Sequence, residues 1–391
     1  MNKRLIYLDN SATTKISDEA LRVYNEASEN HFGNPSSLHA LGADAEKMIR
    51  GAKEALMRAL LAKDFRVIFT ASGSEANNLA IIGRALSKER YKRGATIITT
   101  DGEHASVNAP LEMLSSMGFK IKKISTKGGE IDVEEFRREL TPDTVLVTVM
   151  MVNNETGALY DVKALSDIIK RQAPEALLHV DATQSFMKIP FTVKTSGLDM
   201  VTVSSHKIHG PKGVGALLVN ESIFKKKGLS PIIFGGGQEY GLRSGTENVP
   251  AILAFGKAVE TESQNLPENE KKLRSLRDYL VEKLTRTPAL SEISITEPKK
   301  SAPHILNITL PKIKSETMLH FLSSEGIFVS SGSACSSNSQ HKTSALIAFG
   351  RSESEADSSI RISFSHENEK EELDLLCEAL ESGLSRLARI R

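Results

Sequence analysis

Two cysteines, Cys335 and Cys377, are all that the 391 residues contain. They cannot build a disulfide framework and are too few for a zinc-type cysteine cluster. A reducing cytoplasm, where a free thiol persists, is the expectation. Excess charge of one sign is equally scarce: 50 Lys and Arg stand against 49 Asp and Glu, for a net charge of +1. No global field therefore directs the chain to nucleic acid or to an anionic membrane. No apolar run approaches the roughly 18 residues of a membrane span. Met1–Tyr7 carries Lys3 and Arg4 with no apolar stretch behind them, so no signal peptide is expected. Internal repeats are absent. What remains is an ordinary globular composition, 40% hydrophobic and 25% charged, with length enough for two or three domains' worth of core.

Short β-rich runs alternate with helical patterns. Strands are expected at Arg66–Thr70, Thr96–Thr100, Val145–Met151, Leu177–Val180, Met200–Ser204 and Gly215–Val219. Helices are expected at Glu75–Lys88, Val107–Met117, Val133–Leu140 and Lys163–Gln172. The strand runs are apolar without strict alternation, as in strands buried on both faces, so the fold class is α/β with a parallel or mixed sheet. From Glu260 to Arg286 the chain turns helical and highly charged. Ile305–Leu310, Glu316–Glu325, Ile327–Ser330, Ser359–Ser363 and a closing helix Lys370–Ala388 follow. The division expected is a large α/β domain over 15–258, and a smaller α+β domain from 1–14 and 259–391. The Ser- and Gly-rich stretch around Cys335, about 330–343, has the composition of a mobile loop.

In open α/β sheets ligands bind beyond the carboxyl ends of strands, and five consecutive strand ends here carry polar groups. They are Gly73-Ser74-Glu75, Glu103-His104, Asn153-Asn154-Glu155, Asp181-Ala182-Thr183-Gln184 and Ser204-Ser205-His206-Lys207. All five have a role if the ligand is a phosphorylated pyridine aldehyde. The Gly73-Ser74 turn opens a helix whose free N–H groups favour a phosphate. Ser204, His206 and Thr246 can add donors. Asp181, costly at a buried strand end without a cation, matches a protonated pyridine nitrogen and keeps the ring an electron sink. His104 can stack on the ring, Asn154 and Gln184 can reach its oxygen, and Lys207 can hold it covalently once burial frees the amine. His206 and His209 stand i, i+3, but with Pro211 close by and no cysteine near, no metal is expected. Gly210, Gly213 and Gly215 precede a strand rather than follow one, so they fail the dinucleotide fingerprint.

Together these stretches resemble the NifS/IscS-type cysteine desulfurases, pyridoxal 5′-phosphate enzymes of class V with the aspartate-aminotransferase fold. The resemblance rests on Tyr7-Leu8-Asp9-Asn10-Ser11-Ala12-Thr13-Thr14, Phe32-Gly33-Asn34-Pro35, Glu103-His104 and Asn153-Asn154-Glu155. It continues through His179-Val180-Asp181-Ala182-Thr183-Gln184, Ser205-His206-Lys207, Arg243-Ser244-Gly245-Thr246 and Ser330-Ser331-Gly332-Ser333-Ala334-Cys335. It implies a mostly parallel seven-stranded sheet in the large domain. Lys207, Cys335 and His104 are then catalytic. Gly73, Ser74, His104, Asn154, Asp181, Gln184, Ser204, Ser205, His206 and Lys207 hold the cofactor, with Thr246 supplied by a neighbouring subunit of a homodimer. Arg361 and Asn154 hold the substrate, Arg361 as a bidentate clamp on its carboxylate. The phosphate turn reads Gly73-Ser74-Glu75 where the family has Ala-Thr-Glu, which keeps the hydroxyl.

The implied reaction takes sulfur from L-cysteine, leaving L-alanine and a persulfide on Cys335 for an iron–sulfur scaffold or a tRNA-thiolation enzyme. Cys335 lies five residues past Ser330, so extended chain can carry its sulfur on the order of 15 Å. Cys377 fits the apolar face of a helix and reads as structural. A selenocysteine lyase, an aminotransferase-type enzyme and a non-catalytic sulfur carrier are the competing readings. Retention of Lys207, Asp181 and His104 argues against the last.

Overall fold

The computed structural model describes residues 5–87, 95–331 and 345–387; Cys335 lies outside the described residues. Its strands in chain order are β1 (Ile6–Tyr7), β2 (Phe65–Thr70), β3 (Thr96–Thr100), β4 (Lys120–Ile124), β5 (Thr144–Met150), β6 (Leu177–Asp181), β7 (Met200–Ser204) and β8 (Gly215–Asn220). Then come β9 (Ser294–Thr296), β10 (Ile305–Thr309), β11 (Ile327–Phe328), β12 (Ser330–Ser331) and β13 (Ser359–Ser363).

Seven strands form one sheet in the order β2-β8-β7-β6-β5-β3-β4. All neighbours are parallel except β8, which runs antiparallel to β2 and to β7. Helices Gly73–Ala85, Ala105–Ser116 and Val162–Gln172 follow β2, β3 and β5. With both faces covered, every residue of β5 is buried, which is why the central strands read as continuous apolar runs.

Short β1 and β9 lie outside the sequence reading, and in the seven-stranded sheet the strand absent from it is β4, Lys-Ile-Lys-Lys-Ile at the sheet edge, with its three lysines exposed. Edge strands carry such charges to block further pairing, and the same charges hide the strand from a search for apolar runs. Helix Val249–Arg286 also starts eleven residues before the expected Glu260. Its first turns, Val249 to Val259, are apolar and pack in the core of the large sheet. Its later turns, Leu273 to Leu284, pack in a second core with Ile6, Leu8, Ile308, Ile362 and Cys377. One 38-residue helix thus belongs to both cores.

The second core is roofed by a four-stranded sheet, β12-β13-β10-β9, and by the β1-β11 pair. Between the cores runs the segment Asp9–Thr14. At one end Asp9 bridges Ser363 of β13, and Ser11 N donates to Ser363 Oγ at 2.9 Å. At the other, Thr14 N donates to the His206 carbonyl at 2.8 Å. This segment therefore joins the end of β13 to the turn that carries Lys207.

Candidate active site

Asp181 ends β6 and is only 6% exposed. Its Oδ2 accepts from Asn77 Nδ2 at 2.8 Å and its Oδ1 from Thr183 N at 2.9 Å. Asn77 lies in the second turn of the Gly73–Ala85 helix, so the helix whose first turn suits a phosphate also fixes the acid. The network continues: Asn77 Nδ2 donates to Ser106 Oγ at 2.9 Å, and Ser106 Oγ meets His104 Nδ1 at 2.8 Å. Ser106 N also donates to that Nδ1, at 3.1 Å. Nδ1 is then the acceptor and the His104 proton sits on Nε2.

His104 caps the Ala105–Ser116 helix with its ring open to solvent. Its pKa is nonetheless lowered. The surrounding protein is the largest cause; the positive charges of Lys207 and Arg361 add to it and Asp181 opposes it.

Lys207 closes the Ser205–Lys207 turn after β7. Its Nζ donates to the carbonyl of Ser11 and, at 2.8 Å, to that of Ala12. Gln184 Nε2 donates to the same Ser11 carbonyl at 3.0 Å. The amine and the amide from two different strand ends thus converge on the Asp9–Thr14 segment. His206 turns toward it as well, Nδ1 to Thr13 Oγ1 at 3.1 Å, with its pKa pushed down to about 4 by burial and by Lys207 and Lys212.

Arg361 stands in β13, 7% exposed. Nη1 donates to the Asn154 carbonyl and Nη2 to Asp9 Oδ1, each at 2.9 Å, while buried Nε has no partner. Burial raises the Asp9 pKa against the lowering effect of Arg361. Glu155, beside the same guanidinium, is pushed up to about 7 by burial.

Of the residues read as a phosphate cradle, Gly73 and Ser204 meet at the start of the Gly73–Ala85 helix, whereas Ser205 Oγ lies against Gly210. Ser204 Oγ and Ser205 Oγ are buried and have no hydrogen-bond partner. A Cβ on Gly73 would lie 3.2 Å from Ser204 Cβ and 3.3 Å from Thr183 Oγ1. On Gly215 it would lie 2.6 Å from the Ser72 carbonyl carbon and 2.7 Å from Gly73 N, so only glycine lets β8 pass this close to the helix start. The orphaned Ser204 hydroxyl beside a helix N-terminus fits an anion of phosphate type. Ser74 and Thr246 are exposed. The turn bearing Thr246 is tied to that helix by Arg243 Nε donating to Glu75 Oε1 at 2.9 Å.

A buried acid at one end, an orphaned hydroxyl at the other and a lysine between two strand ends suit a phosphorylated, basic aromatic aldehyde. The class-V aminotransferase family model matches residues 6–376. The chain belongs to the class-V aminotransferases. Among members of the family, a cysteine desulfurase IscS of Archaeoglobus fulgidus is 37% identical, over 97% of each chain. A solved NifS-like protein superposes with a TM-score of 0.90 at 34% identity, covering 98% of this chain and 100% of that one. A solved SspA in complex with cysteine gives a TM-score of 0.78 at 31% identity, covering 92% and 99%. The fold is that of these class-V enzymes, with a large, mostly parallel sheet.

Three contributors to this class-V site escaped the sequence reading. Asp9 and Ser11 lay within a quoted motif without a role, and Asn77 carried no signal beyond its place one turn after Gly73. Glu103, first in the Glu103-His104 pair, is buried between Thr100 Oγ1 at 2.6 Å and Met150 N at 3.0 Å.

Proposed function

We propose that this chain is a cysteine desulfurase that binds pyridoxal 5′-phosphate and leaves the sulfur of L-cysteine on Cys335. The observation that carries the reading is the hydrogen-bonded chain from buried Asp181 through Asn77 and Ser106 to His104, with Lys207 and Gln184 converging on the Ser11 carbonyl. The orphaned Ser204 hydroxyl at the start of the Gly73–Ala85 helix adds a place for an anion.

Asp181 would face the ring nitrogen; Gly73, Ser74, Ser204, Ser205 and His206 would take the phosphate. His104 would lie on the ring, with Asn154 and Gln184 at its oxygen side. When bound, the cofactor supplies an electron sink for the pair of electrons left at the substrate Cα. Lys207, held by two carbonyls, is the amine that takes the Cα proton and returns it. Arg361 has two guanidinium edges already fixed by Asp9 and Asn154, which orients the rest of the fork for the substrate carboxylate. The Cys335 thiolate attacks the substrate sulfur, the Cβ–S bond breaks, and its electrons stay on carbon, which is protonated to give alanine. Cys335 retains the sulfur as a persulfide for a downstream acceptor of the iron–sulfur or tRNA-thiolation kind.

The chain is assigned to the cytoplasm and to a homodimer in which Thr246 reaches the neighbouring phosphate. Residues 15–258 form the cofactor domain and 1–14 with 259–391 the second domain. The two separate cores support this division, and the exposure of Thr246 leaves it accessible to a neighbouring subunit.

The test is alanine and persulfide formation from L-cysteine. Cys335→Ala should abolish both while keeping the cofactor's visible band. Lys207→Ala should lose the band and the activity together. Full turnover in Cys335→Ala would overturn the assignment.

A further inference from the structure

Behind the Lys207 turn lies a polar group that the reaction does not use. His209 stands two residues beyond Lys207, Glu262 projects from the Val249–Arg286 helix, and His366 follows β13. One ligand-capable atom from each lies within 4.8 Å of the others. His366 Nδ1 is 3.7 Å from Glu262 Oε2, and the two imidazole centroids are 4.8 Å apart.

His209 decides what this group can do. It is 1% exposed, and its Nε2 has no hydrogen-bond partner. Its Nδ1 meets the Lys15 carbonyl at 3.0 Å. A carbonyl only accepts, so the proton sits on Nδ1 and a bare lone pair is left on Nε2. A buried acceptor with no donor is costly. The backbone at His209 is held at φ 60°, a conformation that a residue with a Cβ seldom adopts. An outer ring nitrogen tied to a carbonyl with the inner one bare is the arrangement of a metal-ligating histidine. Glu262 Oε2, the oxygen facing His366, also accepts from Asn269 Nδ2 at 3.2 Å.

We propose that His209, Glu262 and His366 bind one divalent transition-metal ion of the zinc type, with water in the fourth position. Two imidazoles and one carboxylate suit zinc and its neighbours, whereas calcium and magnesium demand oxygen-rich sets. Buried Lys188 acts on both histidines and on Glu262, and burial lowers its pKa, which favours the neutral amine beside a cation. The pair is not the His206–His209 spacing visible in the sequence, because His206 Nδ1 is engaged with Thr13. A bound ion would pin the turn carrying Lys207 to the long helix and to the segment after the Arg361 strand. The site is structural and independent of the desulfurase reading.

The experiment uses holoenzyme carrying Cys335→Ala, so that this thiol cannot bind the ion. After chelator treatment it is titrated with Zn²⁺ and with Co²⁺. One equivalent of Zn²⁺ should bind and raise Tm, and Co²⁺ should give ligand-field absorption to the red of the cofactor band. His366→Asn and Glu262→Gln should each weaken Zn²⁺ binding by roughly tenfold or more. His366 is partly exposed, so its variant should keep the parent's cofactor spectrum, which checks the fold. Failure to bind a stoichiometric equivalent, or an affinity unchanged in both variants, overturns the proposal.

Discussion

Glu103 shows how burial next to His104 sets the behaviour of a single carboxyl. Desolvation pushes its pKa from 4.5 up to about 8, against the hydrogen bonds from Thr100 and Met150, and Asp181 adds to the rise. The folded chain thus keeps a proton that the unfolded chain has already released. By linkage, stability falls as pH climbs from about 4.5 to about 8, and the loss is absent below that window. Glu103→Gln keeps an acceptor for both donors and removes the titration. Urea midpoints measured at about pH 5 and about pH 9 should therefore diverge more in the parent than in the variant, by a few kcal/mol at most. Equal pH dependence in the two would show that this carboxyl does not titrate there. At this scale the sequence disclosed residues that end strands, such as Asp181 and Lys207, because strand ends are recognisable from local pattern. It did not disclose that Asp9 meets Arg361 across 352 positions or that Asn77 meets Asp181 across 104. Contacts between separate elements have no local signature.

The Gly73–Ala85 helix begins under the Ser72 cap, whose Oγ accepts from Glu75 N at 3.1 Å. The sequence reading starts this helix at Glu75, two residues late; the Ser72 hydroxyl with an acid three residues on is the entry signal that marks its true start. Gly73→Ala would keep the cap and place a methyl against Ser204 and Thr183 in the anion cradle. Cofactor affinity, followed by absorbance titration, should fall by about tenfold, roughly the 1.4 kcal/mol that a tight contact can cost. The Tm of cofactor-free protein should change little. A large fall in that Tm with normal cofactor affinity would assign Gly73 to packing instead. The elements that pattern misjudged have physical reasons of their own. Strand β4 is charged because it is an edge, and the long helix looked shorter because its buried beginning lacks the polar face that marks its later turns.

For the whole molecule, Phe32 at 70%, Leu38 at 104% and Phe234 at 81% exposure are large apolar groups set out in solvent. Phe32 and Leu38 share one short stretch after the first long helix, and Thr246 stands exposed in its turn. A subunit interface covering them fits the proposed dimer. Sedimentation should give twice the chain mass, and Leu38→Glu should shift the equilibrium toward the single chain and weaken cofactor retention. A parent protein that sediments as a monomer would remove the shared site from the proposal. The sequence by itself determined the α/β class, the strand ends and the chemistry they carry, since each depends on residues close together in the chain. Only the tertiary structure decided which of these groups meet one another, that the Asp9–Thr14 segment ties Lys207 to Arg361, and that His209 faces His366 rather than His206. Those pairings arise when two cores close on one segment, and burial then selects the partners each polar atom must find.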